Sequence, residues 1–175
     1  FSACEKSMAP VEPLDSKQLA SGPGAAIGSL GKGPVVQSVS GSGSFIVPGP
    51  NDRRTFSFTA RRYADGSVEG DWERIRRGPG NAKETKSHGK VLCFTIVGNQ
   101  AWIGGFATSG LFSTPGENEG GWRVVDNGEG KNALPDQMSL EFVGAATGFA
   151  EDYCANTPAA PALFTLEAGN IQIRP

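Results

Sequence analysis

The chain has 175 residues, a formal net charge of −2 at neutral pH, 38% hydrophobic residues and 19% charged residues. This length accommodates one domain with a short additional segment. The slightly acidic balance lacks the basic face of a general nucleic-acid binder, so we expect no nucleic-acid partner. No run approaches the roughly 18 apolar residues of a spanning helix, and a lipid anchor is the expected route to a membrane.

The first four residues, Phe1 to Cys4, resemble the end of a bacterial lipoprotein signal, in which small residues precede an acceptor cysteine. The resemblance implies lipidation of Cys4 and an exported chain of the cell envelope or extracellular space. The alternatives are an ordinary secreted protein and a subunit of an extracellular assembly whose tail docks on a neighbour. Residues 1–34 are predicted as a signal remnant and flexible tether, because Gly, Ser, Pro and Ala dominate them and bury little surface.

Residues 35–175 alternate apolar and polar side chains with a period of two, which predicts a single β domain. The predicted strands are Val36–Val47, Thr55–Tyr63, Val68–Arg76, Lys90–Val97, Gln100–Thr108, Gly121–Asp126, Met138–Val143, Leu163–Glu167 and Asn170–Ile173. Short connectors such as residues 64–67 and 97–100 carry hairpin-turn chemistry. We therefore predict an all-β fold, an antiparallel up-and-down barrel of about eight strands, with a two-sheet β-sandwich as the alternative.

Two of the three cysteines, Cys93 and Cys154, lie in apolar or compact surroundings. In an exported chain they are predicted to form a disulfide, and in a cytosolic chain they would be buried thiols. A short helix near residues 150–155 would carry Cys154 to the strand that holds Cys93. The bridge would contribute on the order of 4 kcal/mol to stability in the chain-entropy model.

Several short runs of the body resemble small secreted bacterial β domains of unassigned function. They are Asp126-Asn127-Gly128-Glu129, Asp136 to Leu140, Gly169-Asn170-Ile171-Gln172-Ile173, Phe56 to Ala60, Asp65 to Gly70 and Gly98 to Ala101. The resemblance spans residues 44–173 and implies an extracellular or envelope β-barrel. It brings no catalytic residues and no established activity.

The sequence contains no recognisable catalytic constellation. His88 is the single histidine of the chain, and no nucleophile elbow accompanies it, so a hydrolytic triad is not expected. Glu69, Asp71 and Glu73 share one strand face, but arginines surround them on the same hairpin (Arg61, Arg62, Arg74, Arg76 and Arg77). We interpret this group as a solvated charged face, and we expect no enzyme activity.

The loop from residue 126 to residue 136 gathers carboxylates and amides around glycines. Its hard oxygen donors, Asp126, Asn127, Glu129 and Asp136, are of the type that Ca²⁺ takes, although the spacing is not that of an EF-hand. The residues favour a structural Asx-rich turn. A calcium site is the alternative, and no other cofactor is expected.

Large aromatic residues beside glycines form the other candidate site. Trp72, Trp102, Phe106 and Trp122 lie on predicted strands, and the interior of a small barrel either fills with such side chains or holds one apolar ligand. The sequence therefore predicts a non-enzymatic structural or protein-interaction module, which would bind a protein partner or self-associate. Lipocalin-like binding of a small apolar ligand at these four residues is the alternative.

Overall fold

The computed structural model describes residues 31–49, 52–78, 83–130, 132–159 and 162–175. The predictions for residues 1–30, including lipidation of Cys4, lie outside these ranges. Within them, no helix is long and apolar enough to cross a membrane.

The described ranges contain ten strands and one helix. In chain order they are β1 Val35–Val47, β2 Asp52–Tyr63, β3 Val68–Arg77, β4 Thr85–Val97, β5 Gln100–Gly110, β6 Glu119–Val125, β7 Gln137–Ser139, β8 Phe142–Ala145, α1 Phe149–Asn156, β9 Leu163–Thr165 and β10 Ala168–Arg174.

All strand pairs are antiparallel and belong to one sheet, in the order β10-β1-β2-β3-β4-β5-β6-β7-β9, with β8 also paired to β6. From β1 to β6 each strand lies beside its sequence neighbour, which is the up-and-down connection that the hairpin turns predict. The sheet curls into a half-barrel. The all-β antiparallel prediction is confirmed, and the single sheet rules out the two-sheet sandwich.

The two strands at the ends of this order, β9 and β10, are consecutive in the chain. The residues between them bond to both sides of the curled sheet: the Leu166 N–H donates to the Asp136 carbonyl (2.9 Å), and the Glu167 N–H donates to the Ser44 carbonyl (2.8 Å). This segment therefore bridges the opening of the half-barrel.

Aromatic rings fill the inner face of the sheet. Phe45, Phe56 and Phe58 are buried on adjacent positions of β1 and β2, and the ring centroid of Phe58 lies 5.9 Å from that of Trp122. Trp72 meets Trp122 edge-on at 6.0 Å. The inward residues of alternating strands thus form one continuous apolar core, as period-two patterning requires.

Helix α1 covers the outer face of β4, β5 and β6. The predicted disulfide between Cys93 and Cys154 is present and joins the helix to β4, with a Cα–Cα distance of 6.2 Å. Gly121 lies directly under the helix, where an added Cβ would come within 2.6 Å of the Tyr153 ring. The helix position and the disulfide confirm the sequence prediction for this region.

Two details differ from the sequence predictions. The predicted strand Met138–Val143 is two strands, because the Ser139 hydroxyl accepts the Arg123 N–H and donates to the Leu140 carbonyl, both at 2.9 Å, which interrupts the ladder. Arg62, Arg74 and Arg76 are not on the face of the three acidic residues. Arg62 stacks on the Phe94 ring, and Arg76 pairs with the buried Asp52.

Arg74 is the most buried of these three arginines. It is 4% exposed and points inward beside Glu141.

Candidate functional site

An open trough of about 750 Å³ crosses the outer face of the sheet where no helix covers it. The register of the paired strands aligns two rows of outward side chains across β10, β1, β2, β3 and β4, and these rows line the trough. One row is Asn170, Ser42, Ser57, Glu73 and His88, and the other is Gln172, Ser40, Thr59, Asp71 and Lys90. Thr108, at a bulge in β5, also lines the trough. The floor is backbone, because the residues between the two rows point into the core.

The backbone floor of the trough packs closely on the core side chains below it. Gly89 lies between His88 and Lys90 and faces the Trp72 indole, where an added Cβ would approach the ring to 2.3 Å. Only glycine therefore allows β4 to lie against this tryptophan. This contact fixes the position of the β4 backbone between His88 and Lys90.

The charges of the trough are paired on the surface. Lys90 forms an ion pair with Asp71. Glu73 lies 3.2 Å from Lys86 Nζ and 3.1 Å from His88 Nδ1. His88 is 44% exposed in its side chain, which agrees with its prediction as an exposed strand histidine. Each carboxylate of the trough is therefore matched by a cation.

Glu129 holds one end of the trough from the loop after β6. Its Oε1 accepts hydrogen bonds from Asn170 Nδ2 (2.7 Å) and Gln172 Nε2 (3.4 Å). The 126–136 loop and β10 are 41 residues apart in sequence at this contact. The loop thus orients the two amides that end the rows.

The other predicted calcium ligands bond to the backbone. Asp136 accepts the N–H of Asn127 at 2.8 Å and of Ile171 at 2.6 Å, one with each carboxylate oxygen. Asp126 accepts the N–H of Ile173 at 2.9 Å and of Gly128 at 2.8 Å. Asp126, Glu129 and Asp136 thus contact β10 at different residues, and within the described ranges no three His, Cys, Asp or Glu side chains are grouped so that they could hold a metal ion. The loop residues show the contacts of an Asx-rich turn, and calcium binding stays a prediction.

The four aromatic residues of the predicted apolar pocket are not brought together. Trp72 and Trp122 contact each other in the inner core. Trp102 lies on the outer face, where its indole N–H donates to the Pro158 carbonyl at 2.9 Å. Phe106 is on that same face of β5, near Lys90. The sheet separates the first pair from the second.

An arginine and a glutamate meet inside the curled sheet, away from the trough. Arg74 Nη1 is 3.6 Å from Glu141 Oε2, and both side chains are 5% exposed. The Phe112 ring covers the guanidinium at 5.9 Å. Burial raises the pKa of the Glu141 carboxyl above its usual range, and the charges of Arg74 and Arg54 oppose that shift.

Sequence reasoning identified the carboxylates of the trough but missed the trough itself. The missed signal is the serine at every second position of β1, Ser38 to Ser44, followed by Ser57 and Thr59 on its hairpin partner. Hydroxyls in this pattern line one face of two paired strands. The inward orientation of Arg74 could also be predicted, because Arg74 and Trp72 are two residues apart on β3 and therefore share a face.

No family model, curated protein or solved structure matches this chain. The fold and site define it as a disulfide-linked, single-sheet β domain with a polar outer trough. Its function is therefore argued from this geometry.

Proposed function

We propose that this chain is a non-enzymatic, exported β domain that acts as a binding module and uses the outer trough as its binding face. The observation that carries the proposal is the pair of aligned polar rows across five strands. Residues fixed on paired strands form a rigid surface, and rigid surfaces lose little entropy when a partner binds.

Export is supported by the disulfide between Cys93 and Cys154. Disulfides persist in oxidising compartments and are rare in the cytosol. A partner of an exported chain would lie in the cell envelope or outside the cell.

The absence of catalysis is supported by the state of the candidate acids and bases. Glu69, Asp71 and Glu73 each contact a lysine. Opposite charges that face each other across paired strands keep such a surface soluble, and these ion pairs therefore give the three carboxylates a role in a solvated binding face.

Co-sedimentation with cell-envelope fragments from the organism that encodes the chain tests the proposal. The full chain is expected to sediment with the fragments. Thr59→Arg, which places a long cation in the trough, is expected to leave the chain in the supernatant. The matched control Thr165→Arg, at the exposed position of β9, is expected to sediment like the unchanged chain.

Two results would overturn the proposal. The first is an unchanged chain that stays in the supernatant. The second is a Thr59→Arg variant that sediments as well as Thr165→Arg does, which would show that the trough is not the binding face. Circular dichroism of both variants verifies that each one is folded.

A further inference from the structure

The chemistry of the trough narrows the class of its ligand. This step rests on the proposed function, since it concerns the same surface. Asp71 is paired with Lys90, and Glu73 is paired with Lys86 and His88. A charged ligand would have to displace a partner from one of these pairs. An uncharged ligand leaves them intact.

The remaining groups of the trough are hydroxyls and amides. Ser40, Ser42, Ser57 and Thr59 occupy the centre of the two rows, and Asn170 and Gln172 end them. A hydroxyl donates one hydrogen bond and accepts others, and an amide offers both functions at once. Such a surface matches a ligand that itself carries many hydroxyl groups.

The described residues that line the trough include no exposed apolar anchor. Protein partners take most of their binding energy from buried aromatic and apolar residues. In the described part of the chain, the large exposed apolar side chains, such as Val97, Leu134 and Phe142, do not line the trough. The large apolar residues that do line it, Phe58 and Trp72, are buried below its floor.

The dimensions favour a linear ligand over a single small molecule. The rows cross five strands, and neighbouring strands lie about 4.8 Å apart, so the trough is about 19 Å long. It is open to solvent along this length and has a volume of about 750 Å³.

We infer that the trough binds a neutral, linear oligosaccharide that lies across β10, β1, β2, β3 and β4. The central hydroxyls of Ser57 and Thr59 bond to the hydroxyls of the sugar rings. The amides of Asn170 and Gln172, which Glu129 orients, bind one end of the ligand.

Isothermal titration of the full chain with neutral hexasaccharides tests this inference. The probes are cellohexaose, xylohexaose, maltohexaose and hexa-N-acetylchitohexaose, and hexagalacturonate is the charged comparison. At least one neutral probe is expected to bind saturably, and hexagalacturonate is expected not to bind. The double variant Ser57→Ala/Thr59→Val should weaken that binding about tenfold, since two hydrogen bonds are removed. Thr165→Val is the matched control and should bind like the unchanged chain.

Three results would overturn the inference: no saturable binding of any neutral probe, tighter binding of hexagalacturonate, or equal affinity of the double variant and the control. Protease treatment of the envelope fragments before sedimentation distinguishes a wrong ligand class from a wrong binding function. If Thr59→Arg abolishes sedimentation and protease treatment does so too, the trough binds a protein. The binding function then stands, and the oligosaccharide does not.

Discussion

Asp136 accepts the backbone N–H of Ile171 through Oδ2 at 2.6 Å, on the side of β10 that faces away from β1. Asp126 accepts the N–H of Ile173 on the same side. We call this line of contacts between β10 and the 126–136 loop the seam. At the edge of a sheet, these N–H groups would normally bond to the carbonyls of a neighbouring strand. Here the two carboxylates accept them instead, so this edge of β10 cannot pair with another chain.

Replacement of Asp136 with Asn is expected to lower the free energy of unfolding by about 2–3 kcal/mol, because a buried charged acceptor of two backbone N–H groups is lost. Urea unfolding followed by circular dichroism measures the change. Asp71→Asn is the control. It removes an ion pair in which Asp71 is 70% exposed, and it should cost less than about 1 kcal/mol. Equal midpoints for the two variants would contradict a structural role of the seam.

Glu119 stabilises the start of α1 from a distant strand. Its Oε2 accepts the N–H of Gly148 at 3.0 Å and of Ala150 at 2.9 Å. Glu119→Ala should lower the free energy of unfolding by about 2 kcal/mol, since it removes a charged cap at a helix N-terminus. Hydrogen exchange should also accelerate over α1 first. Glu117→Ala, two residues away in an exposed turn, is the control, and exchange over α1 that is equal in the two variants would refute the cap.

The buried Glu141 predicts a specific dependence of stability on pH. Its pKa is raised by burial, so the folded chain holds this proton more tightly than the unfolded chain does. The resulting stabilisation is complete below the unfolded pKa, about 4.3, and is lost as pH rises towards the folded pKa. Glu141→Gln cannot ionise, so it should become progressively more stable than the unchanged chain as pH rises through this range.

Parallel urea unfolding of both proteins between pH 4 and pH 8 measures this difference. If the stability advantage of Glu141→Gln shrinks or reverses as pH rises, attraction to Arg74 outweighs the cost of burying the Glu141 charge. Equal stability across the range would show that Glu141 is solvated in the folded chain.

Tyr153 lies on the buried side of α1, against Gly121 of β6, and burial raises its pKa to about 12. The chain contains two tyrosines, so Tyr63→Phe leaves Tyr153 as the single phenol. Ultraviolet titration of this variant should give a midpoint near 12, against about 10 in denaturant. Because the folded pKa is the higher one, the stability that it contributes is present below about pH 10 and is lost as pH rises towards 12. A midpoint near 10 in the folded variant would show that the phenol is solvated.

The strands could be predicted well from the sequence because alternation is a local property. Strand β1 was predicted within one residue of its observed bounds. The disulfide could be predicted because Cys93 and Cys154 lie in apolar or compact surroundings, and a helix near residues 150–155 was the element expected to carry Cys154. The break between β7 and β8 could not be predicted, because it depends on the contact of Ser139 with a strand 16 residues away.

The candidate site was harder to predict for the same physical reason. The trough exists only because five strands are in a register that places Ser57 beside Glu73 and Thr59 beside Asp71. Alternation indicates which residues share a face of one strand. It does not give the alignment between strands, and the pairing of β1 with β10 joins residues more than 120 positions apart.

The pairing of β1 with β10 also determines how the domain responds to force. The two strands are antiparallel, and Ser38 near the start of β1 lies opposite Arg174 at the end of β10. Val35 and Pro175 therefore lie at the same end of the β1–β10 pair, and a load applied between them separates the two strands from that end. Their hydrogen bonds would break one pair after another, as in a zipper, instead of sharing the load in shear. The domain is thus mechanically weak along the axis between these two residues, however stable it is at equilibrium.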